Sequence, residues 1–233
     1  MQDCYQCVVR NSAICAALSH DELDALSRLG RKQRLVRGQT LVWEGDDAII
    51  VANIISGILK VSISISDGRE QIVGVVFPAD FIGRPFGQKS PYSVTALSDA
   101  ELCIFSRSSF DAFARNHPAL EHKLLQRTLE ELDRAREWML LLGKKTATER
   151  IATLLLEMSI RLSETGCSVE QNDLNEFALP LDRQQMGDVL GLTIETVSRQ
   201  LSRLKADGVI GLPDRRMVSI QDRRRLQDLS TAA

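Results

Sequence analysis

Five cysteines and one short helix carry most of the chemistry open to this chain. Cys4, Cys7 and Cys15 form a C-x2-C-x7-C run at the amino terminus; Cys103 and Cys167 stand far downstream. Cys4, Cys7, Cys15 and Cys103 supply four thiols. Soft thiolates suit zinc or an iron–sulfur cluster, and the spacing alone does not choose between them or exclude plain thiols. Cys167 has no partner in the pattern and reads as a small apolar filler or an exposed thiol. A second set lies in residues 194–205: Ile194, Glu195, Ser198, Arg199, Ser202, Arg203 and Lys205. On the exposed face of a helix, Arg can fork onto guanine O6 and N7, Glu can accept from a cytosine amine, Ser adapts, and Ile can meet a thymine methyl. Arg203 and Lys205 suit phosphates.

The surrounding elements must place these groups. Asp182 is positioned to cap a helix over 183–190, Gly191 makes a turn, and Thr193 caps a helix over 194–207. Met186, Val189 and Leu190 on the first, and Val197, Leu201 and Leu204 on the second, form apolar faces that pack together. Two β-runs around Pro213-Asp214-Arg215-Arg216 add a hairpin, which makes a winged helix-turn-helix. From Arg183 to Arg225 nine Lys+Arg face five Asp+Glu, a local +4; the whole chain is −2, so the rest carries −6. A basic patch on an acidic body is an electrostatic footprint for nucleic acid.

Upstream, short β-branched runs between Arg34 and Phe105, punctuated by Gly and Asp, predict a small barrel or sandwich. Asp67-Gly68 is a hairpin signal. Ser19 and Glu22 predict a capping box for a helix over 20–29. From Pro118 to Leu142 nothing breaks a helix before Gly143. Leu124, Thr128, Leu132, Ala135, Met139 and Leu142 fall on one stripe, which predicts pairing with a second copy. A helix this long outruns one small domain.

At 233 residues, with 44% hydrophobic and 26% charged, the chain has the balance of a globular protein. No apolar run nears the roughly 20 residues that span a bilayer; the longest, residues 48–55, is interrupted by Asn53. The amino terminus lacks a signal-peptide pattern, so a cytosolic location with no membrane partner is expected, where cysteines are poor disulfide formers. No G-x-G-x-x-G is present. Gly143-Lys144-Lys145 is not a phosphate loop, because Trp138 stands where Gly is needed. No nucleophile–base–acid set stands out, so an enzyme is not expected.

The segment Ile194-Glu195-Thr196-Val197-Ser198-Arg199 resembles the recognition helix of the CRP/FNR superfamily of bacterial transcription regulators, its FNR branch in particular. Gly38-Gln39-Thr40-Leu41, Ile55-Ser56-Gly57, Gly68-Arg69-Glu70-Gln71-Ile72, Phe77-Pro78-Ala79-Asp80-Phe81, residues 140–145 and Gly191-Leu192-Thr193 extend the resemblance along the whole chain. It implies an α+β fold: an N-terminal double-stranded β-helix (a jelly roll like cyclic-nucleotide-binding domains), a long dimerisation helix, and a C-terminal winged helix-turn-helix. The implied organisation is a cysteine-rich segment over 1–18, a β-roll sensory domain over 19–116, the dimerisation helix over 117–143 and the DNA-binding domain over 144–233.

By the same resemblance, Cys4, Cys7, Cys15 and Cys103 hold an oxygen-labile [4Fe–4S] cluster. The C-x2-C-x7-C spacing is similar to the FnrL/FnrN subgroup. Glu195, Ser198 and Arg199, with Ile194 beside them, read double-stranded DNA at an inverted repeat resembling TTGAT-N4-ATCAA. The partners implied are a second copy and RNA polymerase. Val8 and Ile14, beside cysteines, are expected to limit oxygen access. The alternative is a regulator of the same family sensing a cyclic nucleotide, zinc or thiol redox. Against a cyclic nucleotide, the place of the phosphate-binding Arg-Ser pair falls near Ser90-Pro91, which lacks the charge. Haem would need an axial ligand, and His20, His117 and His122 are not expected in a β-domain pocket.

Overall fold

The computed structural model describes residues 4–164 and 173–231. The chain forms two compact units, residues 1–134 and 135–233. In the first, 3-10 turns over Cys4–Gln6 and Ile14–Ala17 precede helix α1 (His20–Leu29). The backbone N–H and hydroxyl of Ser19 both donate to Glu22 at 2.8 Å, which starts α1 where the capping pattern predicts.

Eight strands follow: β1 (Gly30–Leu35), β2 (Thr40–Val42), β3 (Ile50–Ser56), β4 (Leu59–Ser64), β5 (Glu70–Val76), β6 (Phe81–Gly83), β7 (Ser93–Ala96) and β8 (Ala100–Ser106). They make two antiparallel sheets, β1-β8-β3-β6 and β2-β7-β4-β5. Gly57 takes a φ of 85° between β3 and β4, and a Cβ there would lie 2.4 Å from the Asp99 carbonyl oxygen, so the turn admits only glycine.

Side chains alternate across each strand. On β8, Leu102 and Ile104 enter the core shared by the sheets, with Ala52, Ile54 and Leu59. Cys103 and Phe105 point the other way, into a second core with Ile14, Leu23, Leu26, Val51, Phe110 and Leu120. That second core lies under α1, α2 (Arg107–Arg115), the cysteine-bearing segment and the start of α3 (Pro118–Lys144). The strand alternation thus fixes which sheet face meets the amino terminus.

Helix α3 has 27 residues, about 40 Å at 1.5 Å per residue. It continues through Gly143 to Lys144 rather than stopping at the glycine; a single glycine costs only about 1 kcal/mol in a helix. Strands β1, β6 and β7 are not among the apolar runs 41–43, 49–55, 58–65, 72–77 and 102–105 that the sequence marks as β.

The second unit contains α4 (Ala147–Glu164), β9 (Glu176–Ala178), α5 (Arg183–Leu190), α6 (Ile194–Ala206), β10 (Ile210–Gly211), β11 (Met217–Ile220) and α7 (Arg223–Thr231). The strands form a sheet ordered β10-β11-β9. Leu154, Leu155, Met158, Met186, Leu190, Val197, Leu201, Leu204 and Leu226 are buried together in its core. The fold is the α+β architecture expected.

Candidate thiol cavity and nucleic-acid interface

The structure brings Cys4, Cys7, Cys15 and Cys103 to the wall of one cavity, with about 500 Å³ of empty space including its open mouth. Three come from the amino-terminal segment and the fourth from the middle of β8. The segment is coiled by short-range bonds: Arg10 N–H donates to the Cys7 carbonyl (3.1 Å), Ala13 N–H to Val9 (2.8 Å) and Leu18 N–H to Cys15 (3.1 Å). Ala13 and Ile14 are buried and pin the coil to the second core. Tyr5 ties its other end to α1: the hydroxyl donates to the Asp24 carboxylate (2.9 Å) and lies 2.8 Å from His20 Nδ1, while the ring stacks on His20.

The four described cysteines are not in disulfides. Burial, then the neighbouring Cys103, Cys4 and Cys7, push the Cys15 thiol up to about 12. Four thiolates cannot gather here without positive charge between them. Among the described residues no group of three His, Cys, Asp or Glu side chains is arranged to hold a single metal ion. The Asn53 side-chain carbonyl is buried in the same wall without a partner among the described residues. A soft, four-thiol donor set around mostly apolar walls fits an iron–sulfur cluster.

Val8 does not screen the cavity: it is 75% exposed. Ile14 is fully buried in the core but does not line the cavity; Val9 and Ala13 are the apolar residues of the segment that do. Cys167 lies outside the described residues. Ser90 is used structurally: its hydroxyl donates to the Tyr92 carbonyl (2.6 Å) and its N–H to Asp46 (2.9 Å). His117 Nδ1 lies 2.6 Å from the Phe113 carbonyl, and His122 lies beside Gln126.

On α3, Thr128, Leu132, Ala135 and Met139 of the expected seam are exposed. Leu124 instead packs on the second core, and Leu142 is half-buried. Leu125, Leu129 and Leu140 are exposed on the helix and were not in the expected stripe.

In the second unit, Asp182 caps α5 by accepting from Gln185 N–H (2.9 Å), and Thr193 caps α6 by accepting from Thr196 N–H (3.3 Å). Gly191 links them with a left-handed φ of 62°. Val197, Leu201 and Leu204 turn inward, which leaves Ile194, Glu195, Ser198, Arg199, Ser202, Arg203 and Lys205 exposed on the other face. Backbone amide donation at the start of α6, with Thr193, holds Glu195 below the usual carboxylate range, so it is an ionised acceptor. Arg203 lies 3.9 Å from Asp207. On the wing, Asp214 accepts from Arg216 and Met217 N–H (2.7 Å each), and Arg215 projects at the tip, exposed.

Two cations that sequence reasoning did not single out hold this unit together. Arg150 donates to the carbonyls of Lys145 (2.9 Å), Leu190 (2.8 Å) and Leu142 (2.8 Å), tying the ends of α3 and α5. Arg223 bonds Ser159, Leu174 and Asp173, so it is a structural member of the basic cluster.

Residues 149–229 match the Crp-like helix-turn-helix domain and residues 32–117 the cyclic nucleotide-binding domain. The chain is 44% identical over 223 residues to the transcriptional activator protein FnrL of Cereibacter sphaeroides, covering 96% of this chain and 90% of that protein. It is 34% identical over 230 residues to the nitrogen fixation regulation protein FixK of Bradyrhizobium diazoefficiens, covering 98% and 94%. The structure of FixK2 from Bradyrhizobium japonicum superposes with a TM-score of 0.78 at 34% identity, covering 88% of this chain and 98% of that one. With α5, α6 and the wing as its DNA-binding part, this chain belongs to the CRP/FNR family, and is a transcription regulator of the activator type rather than an enzyme.

Proposed function

We propose that this protein is an oxygen-responsive transcription activator in which Cys4, Cys7, Cys15 and Cys103 hold a [4Fe–4S] cluster. The convergence of these four thiols on one cavity carries the reading. When bound, the cluster supplies positive charge that holds the four thiolates together, and a centre that oxygen attacks.

The protein's own residues then connect the cavity to dimerisation. Holding Cys4, Cys7 and Cys15 against Cys103 keeps Ala13 and Ile14 in the core that also receives Leu120 and Leu124 of α3. Arg127 of α3 donates to the Ser12 carbonyl in the same segment. Loss of the thiol clamp frees the segment and removes these supports from α3. With the clamp in place, the exposed stripe Leu125, Leu129, Leu132 and Met139 is the face on which two copies pair, spaced 4, 3 and 7 as a helix seam requires.

Pairing sets two copies of α6 on successive major-groove faces, about 34–36 Å apart. Glu195, Ser198 and Arg199, with Ile194 against thymine, read an inverted repeat resembling TTGAT-N4-ATCAA, while Arg203, Lys205 and Arg215 meet phosphates. Exposed loops of the β-unit face RNA polymerase. Anaerobic purification, with iron and sulfide analysis and a visible spectrum before and after air, tests the cofactor. About four of each per chain is expected; an iron-free, colourless protein active on DNA overturns it.

A further inference from the structure

Cys103 is the middle member of a row that crosses the sheet. Lys32 on β1 stands opposite it on one side, and Asn53 on β3 stands opposite it on the other. Directly opposed residues of antiparallel strands share a face, and Lys32, Cys103 and Asn53 all line the thiol cavity.

Asn53 is an odd choice for its place. It is 2% exposed, between Ala52 and Ile54 in sequence, and on a face shared with Val51 and Ile55. Its amide Nδ2 donates to Cys15 Sγ at 3.5 Å. Its carbonyl oxygen has no partner among the described residues. A buried amide kept for structure is satisfied at both ends; this one is satisfied only toward sulfur. Lys32 is half-exposed, its ammonium 3.6 Å from Glu101. Arg10, packed over the Tyr5 ring, is the second cation of the cavity wall.

Four thiolates around a 2+ core leave a net charge of −2. An N–H donor on one sulfur and cations on the rim are what such a dianion needs in an apolar wall. We infer that Asn53 and Lys32 are positioning residues that hold the cluster: Asn53 by donating to the Cys15 sulfur, Lys32 by carrying an ammonium, paired with Glu101, on the cavity wall directly opposite Cys103 in the strand register. The inference rests on the cluster assignment above. Neither residue is a ligand; together they set how long the centre survives once formed.

The test uses the full chain loaded without air. Iron transfer to a ferrous chelator is followed anaerobically for the parent, Asn53→Leu, Lys32→Gln, Lys32→Arg and Arg31→Gln. Arg31 precedes Lys32 on β1 and does not line the cavity, so it controls for the lost charge. Asn53→Leu and Lys32→Gln are expected to release iron about tenfold faster, with Lys32→Arg and Arg31→Gln at the parental rate and apo-protein melting unchanged. Parental release rates in both variants, with normal initial iron and sulfide, overturn the inference and leave the cluster assignment standing. If Asn53→Leu does not fold, the Lys32 pair decides. A parent that takes up no iron and sulfide overturns both.

Discussion

Arg127, on the long helix, donates to the carbonyl of Ser12, three residues before Cys15. One guanidinium therefore links the segment that carries three of the four cavity cysteines to α3, the helix on which we propose that two copies pair. A hydrogen bond from a charged donor contributes about 1.5–3 kcal/mol, enough to bias whether the segment stays docked. Arg127→Ala is expected to keep parental iron and sulfide while weakening dimerisation about tenfold. Anaerobic sedimentation checks it; parental dimerisation would remove Arg127 from the link.

The α3 stripe gives a sharper contrast. Leu129 is exposed whereas Leu124 packs on the chain's own core. Leu129→Asp should leave monomer stability within about 0.5 kcal/mol, since exposed substitutions do little, and abolish the dimer. Leu124→Ala should do the reverse, lowering stability by about 1–3 kcal/mol. Thermal melting and sedimentation of both variants separate the two roles.

Arg199→Ala is expected to weaken operator binding by about 1–3 kcal/mol and to relax one base position. Arg215→Ala should weaken operator and random duplexes alike and flatten the salt dependence by about one unit of slope. Titration of both duplexes at several salt concentrations checks the pair. An equal loss for Arg199→Ala on random DNA would move it from base reading to phosphate contact.

Arg150 ends in three backbone carbonyls of the second unit. Arg150→Met removes all three donors and should cost about 2–4 kcal/mol, by the scale for charged donors. Calorimetry of the full chain reads it as an earlier transition of the DNA-binding unit, with iron content unaffected.

Much of this was legible in the sequence. Local signals placed α1, α5 and α6: Ser19 with Glu22, Asp182, Thr193 and Gly191 act within a few residues of themselves. The inward apolar positions of α6 leave its polar face exposed, as their spacing requires. Strand β1 was not legible, because Gly30-Arg31-Lys32-Gln33-Arg34-Leu35 has one buried residue and no alternation. It is a strand only because it pairs with β8.

The edge of the α3 stripe was hidden for another reason. Leu124 and Leu125 are neighbours about 100° apart on the helix, and only the packed core shows which one faces inward. Val8 and Ile14 fail as screens on similar grounds. Adjacency to a cysteine in sequence does not place a side chain at the cavity, where Val9 and Ala13 stand instead. Asn53 and Arg150 act through residues 38 and 40 positions away, which no local pattern encodes.

The cavity wall itself yields a prediction. Val9→Ser should hasten decay of the visible spectrum in air, while Val8→Ser, at an exposed site, should leave it at the parental rate. Stopped-flow spectroscopy distinguishes them, and equal rates in all three proteins would show that the segment's apolar side chains do not govern oxygen entry.

Whether the four cysteines couple oxygen to DNA binding is decided by titrating one anaerobic preparation onto a duplex carrying the inverted repeat, then repeating the titration after exposing the same sample to air. At least a tenfold loss of affinity is expected, together with a shift from dimer to monomer, and no such change in a quadruple variant with Cys4, Cys7, Cys15 and Cys103 all replaced by Ser, which should bind weakly throughout. Equal affinity before and after air, or parental binding by the quadruple variant, would contradict that coupling.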